Sequence, residues 1–202
     1  MIFLSVAHSV GSGAFNKNIN LQEYDCSKIM TAACAEYLKS KNIDVHVLDV
    51  GKIDTQAERK RIKKQEISNK KPDLALEIHL NSSEIHLNSS EDKTVNYSSC
   101  FYWGVNSKTK FISDLIVKNF SVGFAKNIRR YRSIGLPCPG FDLSRFWYVT
   151  DNKCDSIIVE PCFMSNDEQA VKLKDESYLK GIGLMVADGV ENWLKKTSNM
   201  TR

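Results

Sequence analysis

Short apolar runs that alternate with helical patterns constrain this chain more than any other feature, because they end on side chains of one chemical kind. Ile2–Val6, Leu74–Ile78 and Ser156–Val159 have the length and branching of buried strands, and they finish at His8, His79 and Glu160. The first strong helical pattern runs from about Leu21 to Ser40, where Cys26, Ile29, Met30, Ala33, Cys34, Tyr37 and Leu38 recur at helical spacing. Residues 43–50 read as a second strand, 54–69 as a polar, basic helix and 73–79 as a third strand. Ser99–Trp103 reads as a further strand, and Ser107–Arg130 is helical in pattern, with Phe111, Leu115, Ile116 and Phe120 near one face. Pro137, Pro139 and Gly140 mark a loop leading to Arg145–Val149 and the strand ending at Glu160. A last helix from Glu176 to about Lys196 turns Leu179, Ile182, Met185, Val186, Val190 and Trp193 inward.

Strands alternating with helices predict βαβ units: an α/β fold with a mostly parallel twisted sheet and helices on both faces. The 202 residues suffice for one well-buried domain. That domain is expected over 1–197, with 198–202 as a short polar tail and no separate binding domain. Basic residues cluster at Arg59–Arg61, Lys63–Lys64, Lys70–Lys71 and Arg129–Arg130 with Arg132, and the net charge is +4. These read as solvated helix faces with at most a weak pull on a polyanion, and with no recognition motif beside them no nucleic-acid partner is expected. Met1–Ala7 lacks a basic flank and is too short to span a bilayer, so neither a signal peptide nor membrane insertion is expected, and synthesis is placed in the cytoplasm. Six cysteines without a C-x-x-C pair predict neither a disulfide framework nor a cysteine metal cluster.

Glu77–Ser83 is repeated at once as Glu84–Ser90, residue for residue. A copy this short is no solenoid unit and reads as a duplication in a loop. It leaves His79 and His86 as rivals for one role. Only the first copy follows a buried apolar run, and a metal ligand needs a rigid base, which favours His79.

In open α/β sheets, ligands and catalysts gather beyond the carboxyl ends of the strands. Glu23 lies three residues before Cys26, so it carries the buried stripe into the first helical turn. The helix dipole accommodates a carboxylate there, but burial on an apolar face is unfavourable unless a cation meets it. His46, between Val45 and Val47 in mid-strand, reads as structural. Zinc on His8, Glu23 and His79 would keep a position for water and lower that water's pKa toward about 7. Glu160 would then serve as general base and afterwards as acid, which describes amide hydrolysis. Other divalent ions also suit two histidines and a glutamate.

At these residues the chain resembles the zinc-dependent N-acetylmuramoyl-L-alanine amidases (Amidase_3), a family that includes autolysins and phage endolysins. The resemblance rests on Val6-Ala7-His8 leading to Gly13-Ala14, on Gln22-Glu23-Tyr24, on Glu77-Ile78-His79-Leu80-Asn81 and on Glu160-Pro161-Cys162-Phe163-Met164-Ser165-Asn166. Arg59 resembles the arginine of the family's second helix. The resemblance implies His8, Glu23 and His79 as zinc ligands, Glu160 as catalytic, and peptidoglycan as substrate. It further implies a lysin that acts on the cell wall after release. The chain departs from the family pattern with alanine at 7 instead of glycine, glutamate at 77 instead of serine, and Pro161-Cys162 instead of a glycine-containing pair.

Three other readings are open to the sequence. Cys162 could be the nucleophile of a Cys-His amidase, a zinc carboxypeptidase or deacylase could share the scaffold, or the site could be the vestige of a peptidoglycan-binding module.

Overall fold

The structure, a computed structural model, describes residues 1–82, 95–124, 128, 130–139 and 141–200, the last two by backbone only. The elements in order are β1 (Ile2–Val6), β2 (Phe15–Asn16), β3 (Leu21–Gln22), α1 (Glu23–Ser40), β4 (Val45–Leu48), α2 (Gln56–Lys70), β5 (Leu74–Ile78), β6 (Ser98–Trp103), α3 (Ser107–Gly123), β7 (Tyr131–Leu136), a 3-10 turn (Leu143–Phe146), α4 (Trp147–Thr150), β8 (Ser156–Glu160), α5 (Asp167–Leu173) and α6 (Glu176–Met200).

Six strands form one sheet in the order β4-β1-β5-β8-β6-β7. The first four are mutually parallel, β6 runs antiparallel to β8, and β7 is parallel to β6. The mostly parallel α/β sheet read from the sequence is therefore what the chain forms. Strand residues alternate between two layers. Ile2, Leu4, Leu74, Leu76 and Ile78 pack with Met30, Cys34 and Leu38 of α1, Ile112, Ile116 and Phe120 of α3, and Ile182, Val186 and Val190 of α6. Phe3, Ala75, Phe101 and Ile158 face Ile67 of α2 and Phe146, Tyr148 and Val149 around α4. Asn119 of α3 donates to the Met185 carbonyl and to Asp188, tying α3 to α6.

Several boundaries differ from the sequence reading. The helix expected over 107–130 stops at Gly123, and the Phe124 N–H closes it onto Phe120. Tyr131–Leu136 then forms an edge strand that no continuous apolar run announces, since only Ile134 and Leu136 in it are buried. Arg145–Val149, given no element from sequence, is helical across its length. The short α5 appears after Asn166, whose side chain accepts from the Gln169 N–H as an N-cap. The last helix continues to Met200, past its expected end near Lys196. His86, Arg129 and the whole of the second repeat copy lie outside the described residues.

Candidate metal centre

The registers bring the site together before any side chain is considered. Val6 pairs with Ile78 and Ile78 with Val159, so the chain just beyond β1, β5 and β8 converges at one edge, where His8, His79 and Glu160 stand. The His79 N–H donates to the Val159 carbonyl at 2.8 Å. Ser27 of α1 accepts from the Ala7 N–H and donates to the Ile78 carbonyl, which locks the start of α1 onto both strand ends. Glu23, the first residue of α1, is thereby aimed at the same point.

The loop after β1 turns sharply. His8 adopts a left-handed backbone, φ 62°, and Gly13 takes φ 88°. A Cβ at Gly13 would sit 2.7 Å from two His8 ring carbons and 2.8 Å from Glu23 Oε2, so only glycine allows this closeness. Arg59 pins the loop from outside, donating to Ser9 Oγ at 2.7 Å and to the carbonyls of Ile53 and Asp54.

Three donor atoms result. His8 Nε2, Glu23 Oε1 and His79 Nδ1 form a nearly equilateral triangle with edges of 3.1, 3.1 and 3.2 Å. Atoms held tetrahedrally at about 2.0–2.1 Å from one ion stand about 3.3 Å apart, so the triangle has the size of a tetrahedral face. Hydrogen bonds alone account for it poorly. If both rings donate to Glu23, two N–H groups confront each other along the 3.2 Å edge, whereas a cation at the centre satisfies all three lone pairs. Glu23 is further fixed by the Ala14 N–H on Oε2 at 2.7 Å and the Leu80 N–H on Oε1 at 3.0 Å. The triangle is open to solvent on one side, where the His8 side chain is 31% exposed.

Without an ion, electrostatics show how far the site leans toward positive charge. Burial works to raise the Glu23 carboxyl, but hydrogen bonds from His79 and His8 hold it well below the usual carboxylate range. Burial disfavours a charged His79, yet bonds to Glu23 and Glu77 push it up to about 10. Glu160, at the end of β8, is half-buried and is pushed up to about 7 by desolvation, against the opposing pull of His79 and with the like charge of Glu23 adding to it. Ser99 Oγ lies 3.5 Å from Glu160 Oε2, and the Asn81 side chain bonds to the same carboxyl.

The four candidate residues thus meet, with His79 as the second histidine of the triangle. His46 stacks on Phe3 with ring centroids 5.2 Å apart, away from this edge, in the structural role expected of it. Cys162 is fully buried in the α1–α3–α6 layer and its thiol is pushed up by burial, which removes it as a thiolate nucleophile. Two charged residues stand behind His79: Glu77, which the sequence marks as a departure from serine, and Lys63, to which it gives no role in the site. Glu77 Oε2 lies 3.0 Å from His79 Nε2, and Glu77 Oε1 lies 2.5 Å from Lys63 Nζ. The sequence groups Lys63 with solvated lysines, yet it is buried; the available signal is its place one helical turn before Ile67, the other buried residue of α2. A groove of about 1300 Å³ lined by Arg61, Lys71, Lys153 and Trp193 lies at the opposite, amino end of β5 and β8, far from this chemistry.

Two imidazoles, one carboxylate and a neighbouring carboxyl of raised pKa are the working parts of metal-dependent hydrolases. The sequence matches the family model for N-acetylmuramoyl-L-alanine amidase over residues 2–192. The chain belongs to that family, whose enzymes hydrolyse the amide joining N-acetylmuramic acid to L-alanine in peptidoglycan. Solved structures share the fold. The CwlD amidase of Clostridioides difficile, solved in complex with the GerS lipoprotein, is 22% identical, with TM-score 0.73 over 96% of this chain and 98% of that one. Cwp6 from Clostridium difficile is 25% identical, with TM-score 0.75 over 95% of this chain and 28% of that one. The catalytic domain of the CD27L endolysin targeting Clostridia difficile is 21% identical, with TM-score 0.71 over 95% and 96%. No curated protein matches the sequence. Among the described residues no helix is long and apolar enough to cross a membrane.

Proposed function

We propose that the ion held by His8, Glu23 and His79 is zinc and that Glu160 is the proton-transfer residue of the amidase reaction. The observation carrying this reading is the donor triangle of 3.1–3.2 Å edges at the carboxyl edge of the sheet. When bound there, zinc supplies a Lewis acid that polarises the scissile carbonyl and acidifies water. Glu160, with a pKa of about 7, is divided between its two protonation states near neutrality. It takes a proton from the attacking water and returns it to the nitrogen of the leaving L-alanine amine. Asn81 and Ser99 orient its carboxyl. Residues 1–197 form the catalytic domain in this reading. The cell wall is the place of action, as for an autolysin or endolysin.

Purified peptidoglycan tests the assignment. Phenanthroline should abolish release of L-alanine amino groups, added zinc should restore it, and iodoacetamide should leave the rate unchanged. Glu160→Gln should retain one equivalent of zinc and lose about 10² to 10⁴ in turnover. Products ending in a new carboxyl inside the stem peptide, instead of freed muramyl lactate, would replace the amidase assignment by a carboxypeptidase one.

A further inference from the structure

Glu77 is buried on the sheet face that α2 and α4 cover, and its two oxygens have separate partners. Oε2 lies 3.0 Å from His79 Nε2, and two residues apart in a strand is the spacing that places both on one face. Oε1 lies 2.5 Å from Lys63 Nζ and 2.8 Å from Ser5 Oγ. Lys63 Nζ also reaches the Val6 carbonyl at 2.8 Å. Ser5 Oγ is 3.0 Å from Tyr148 OH, and since a serine carries one hydroxyl proton, it donates to Glu77 and accepts from Tyr148.

Resting on the metal-dependent reading above, we infer that Glu77 is a positioning residue for the metal centre and that Lys63 fixes its orientation. A carboxylate beside Nε2 obliges that nitrogen to carry the ring proton. The neutral ring then presents a bare Nδ1 toward His8 Nε2 and Glu23 Oε1, the tautomer a metal needs. Lys63 and Ser5, the latter held by Tyr148, keep Oε1 occupied and so hold the carboxylate toward His79. Lys63 also supplies the charge without which a carboxylate at this depth would be strongly unfavourable. The line from Tyr148 through Ser5 and Glu77 to His79 couples the α2–α4 layer to the ligand, so the ring is braced from the covered face of the sheet.

The ion pair could instead be scaffolding alone, and the two roles separate in the variant Lys63→Met/Glu77→Met. It removes both buried charges together and leaves His79 Nε2 without its acceptor. Zinc affinity is measured on metal-stripped protein by competition with a chromogenic chelator, and stability by urea unfolding of the same samples. Positioning predicts a urea midpoint close to the parent and a zinc affinity 10- to 100-fold weaker. Parental affinity in the folded double variant overturns the inference, because scaffolding alone gives that result. Glu77→Gln, with Lys63 retained, decides the matter if the double variant fails to fold. Its amide oxygen must face Lys63 and Ser5, so its NH₂ meets His79 Nε2 and drives the ring proton onto Nδ1. Zinc affinity should fall at least tenfold, and an unchanged value overturns the inference. A parent chain that binds no zinc refutes the metal assignment itself, a distinguishable failure.

Discussion

Gly13→Ala measures how tightly the first loop is fitted to the ligands, and Gly11→Ala is its internal control. Both glycines have positive φ, +88° and +73°, but a Cβ at Gly11 meets nothing within 4 Å. An alanine in a left-handed conformation is disfavoured by about 1–2 kcal/mol, part of which is offset by a less flexible unfolded chain. Gly11→Ala should therefore destabilise the protein by about 1 kcal/mol and leave metal affinity alone. At Gly13 the new methyl would lie 2.7 Å from His8 ring carbons, where ordinary contact begins at 3.4 Å, so something must move by about 0.7 Å. Overpacking of this kind adds about 1–3 kcal/mol. The ring can relieve it by swinging outward, but metal sites tolerate only about 0.2 Å in ligand distance, so the strain returns when an ion draws the ring back. Converted at 1.4 kcal/mol per decade, that strain weakens metal binding about 5- to 150-fold. Chelator competition and urea unfolding of both variants supply the comparison. Equal effects of the two substitutions on metal affinity would refute the argument that Gly13 is required by its closeness to His8 and Glu23.

His79→Ala should lose bound metal and activity while His86→Ala keeps both, as read by metal stoichiometry on the purified variants; the reverse pattern would assign the ligand to the second repeat copy. In metal-stripped protein, Glu160 holds a proton that the unfolded chain releases, its pKa rising from 4.5 to about 7. Its contribution to stability is then complete below about pH 4.5 and disappears as pH rises through about 7. Relative to Glu160→Gln, the parent should thus lose roughly 2–4 kcal/mol between those limits, and urea unfolding with a constant gap would show a Glu160 in contact with water.

The parts of the fold that were legible in the sequence are those whose burial leaves a period. β1, β5 and β8 sit in the middle of a parallel sheet with both faces covered, which demands continuous apolar runs, and α1 shows its buried stripe directly. β7 failed the same test because an edge strand with one half-buried face needs little apolar content, and Tyr131–Leu136 supplies little. The clustering of His8 and His79 was legible since topology alone sends the ends of β1 and β5 to one place. Lys63 and Glu77 were not, because a lysine among seven basic residues of the second helix region and a glutamate in a strand each resemble surface residues until α2 is packed on the sheet. The departure from serine at position 77 was visible, but its partner 14 residues away was not.

The charge within the hydrogen-bonded site shows why these two residues belong together. Glu23, Glu77 and Glu160 as carboxylates carry three negative charges, and Lys63 returns one, leaving two to be met. A divalent cation on neutral imidazoles meets them and leaves the interior balanced. Without an ion the chain meets them with protons instead, one on His79 at a pKa of about 10 and a partial one on Glu160 at about 7, while Glu23 stays ionised. Binding must then displace those protons, so the affinity of the site falls as the solution becomes acidic. A glutamate at 77 without Lys63 would leave the metal-loaded interior one charge negative. A lysine without Glu77 would leave it one charge positive beside a cation. Only as a pair do they brace His79 while leaving the balance that a dication requires unchanged.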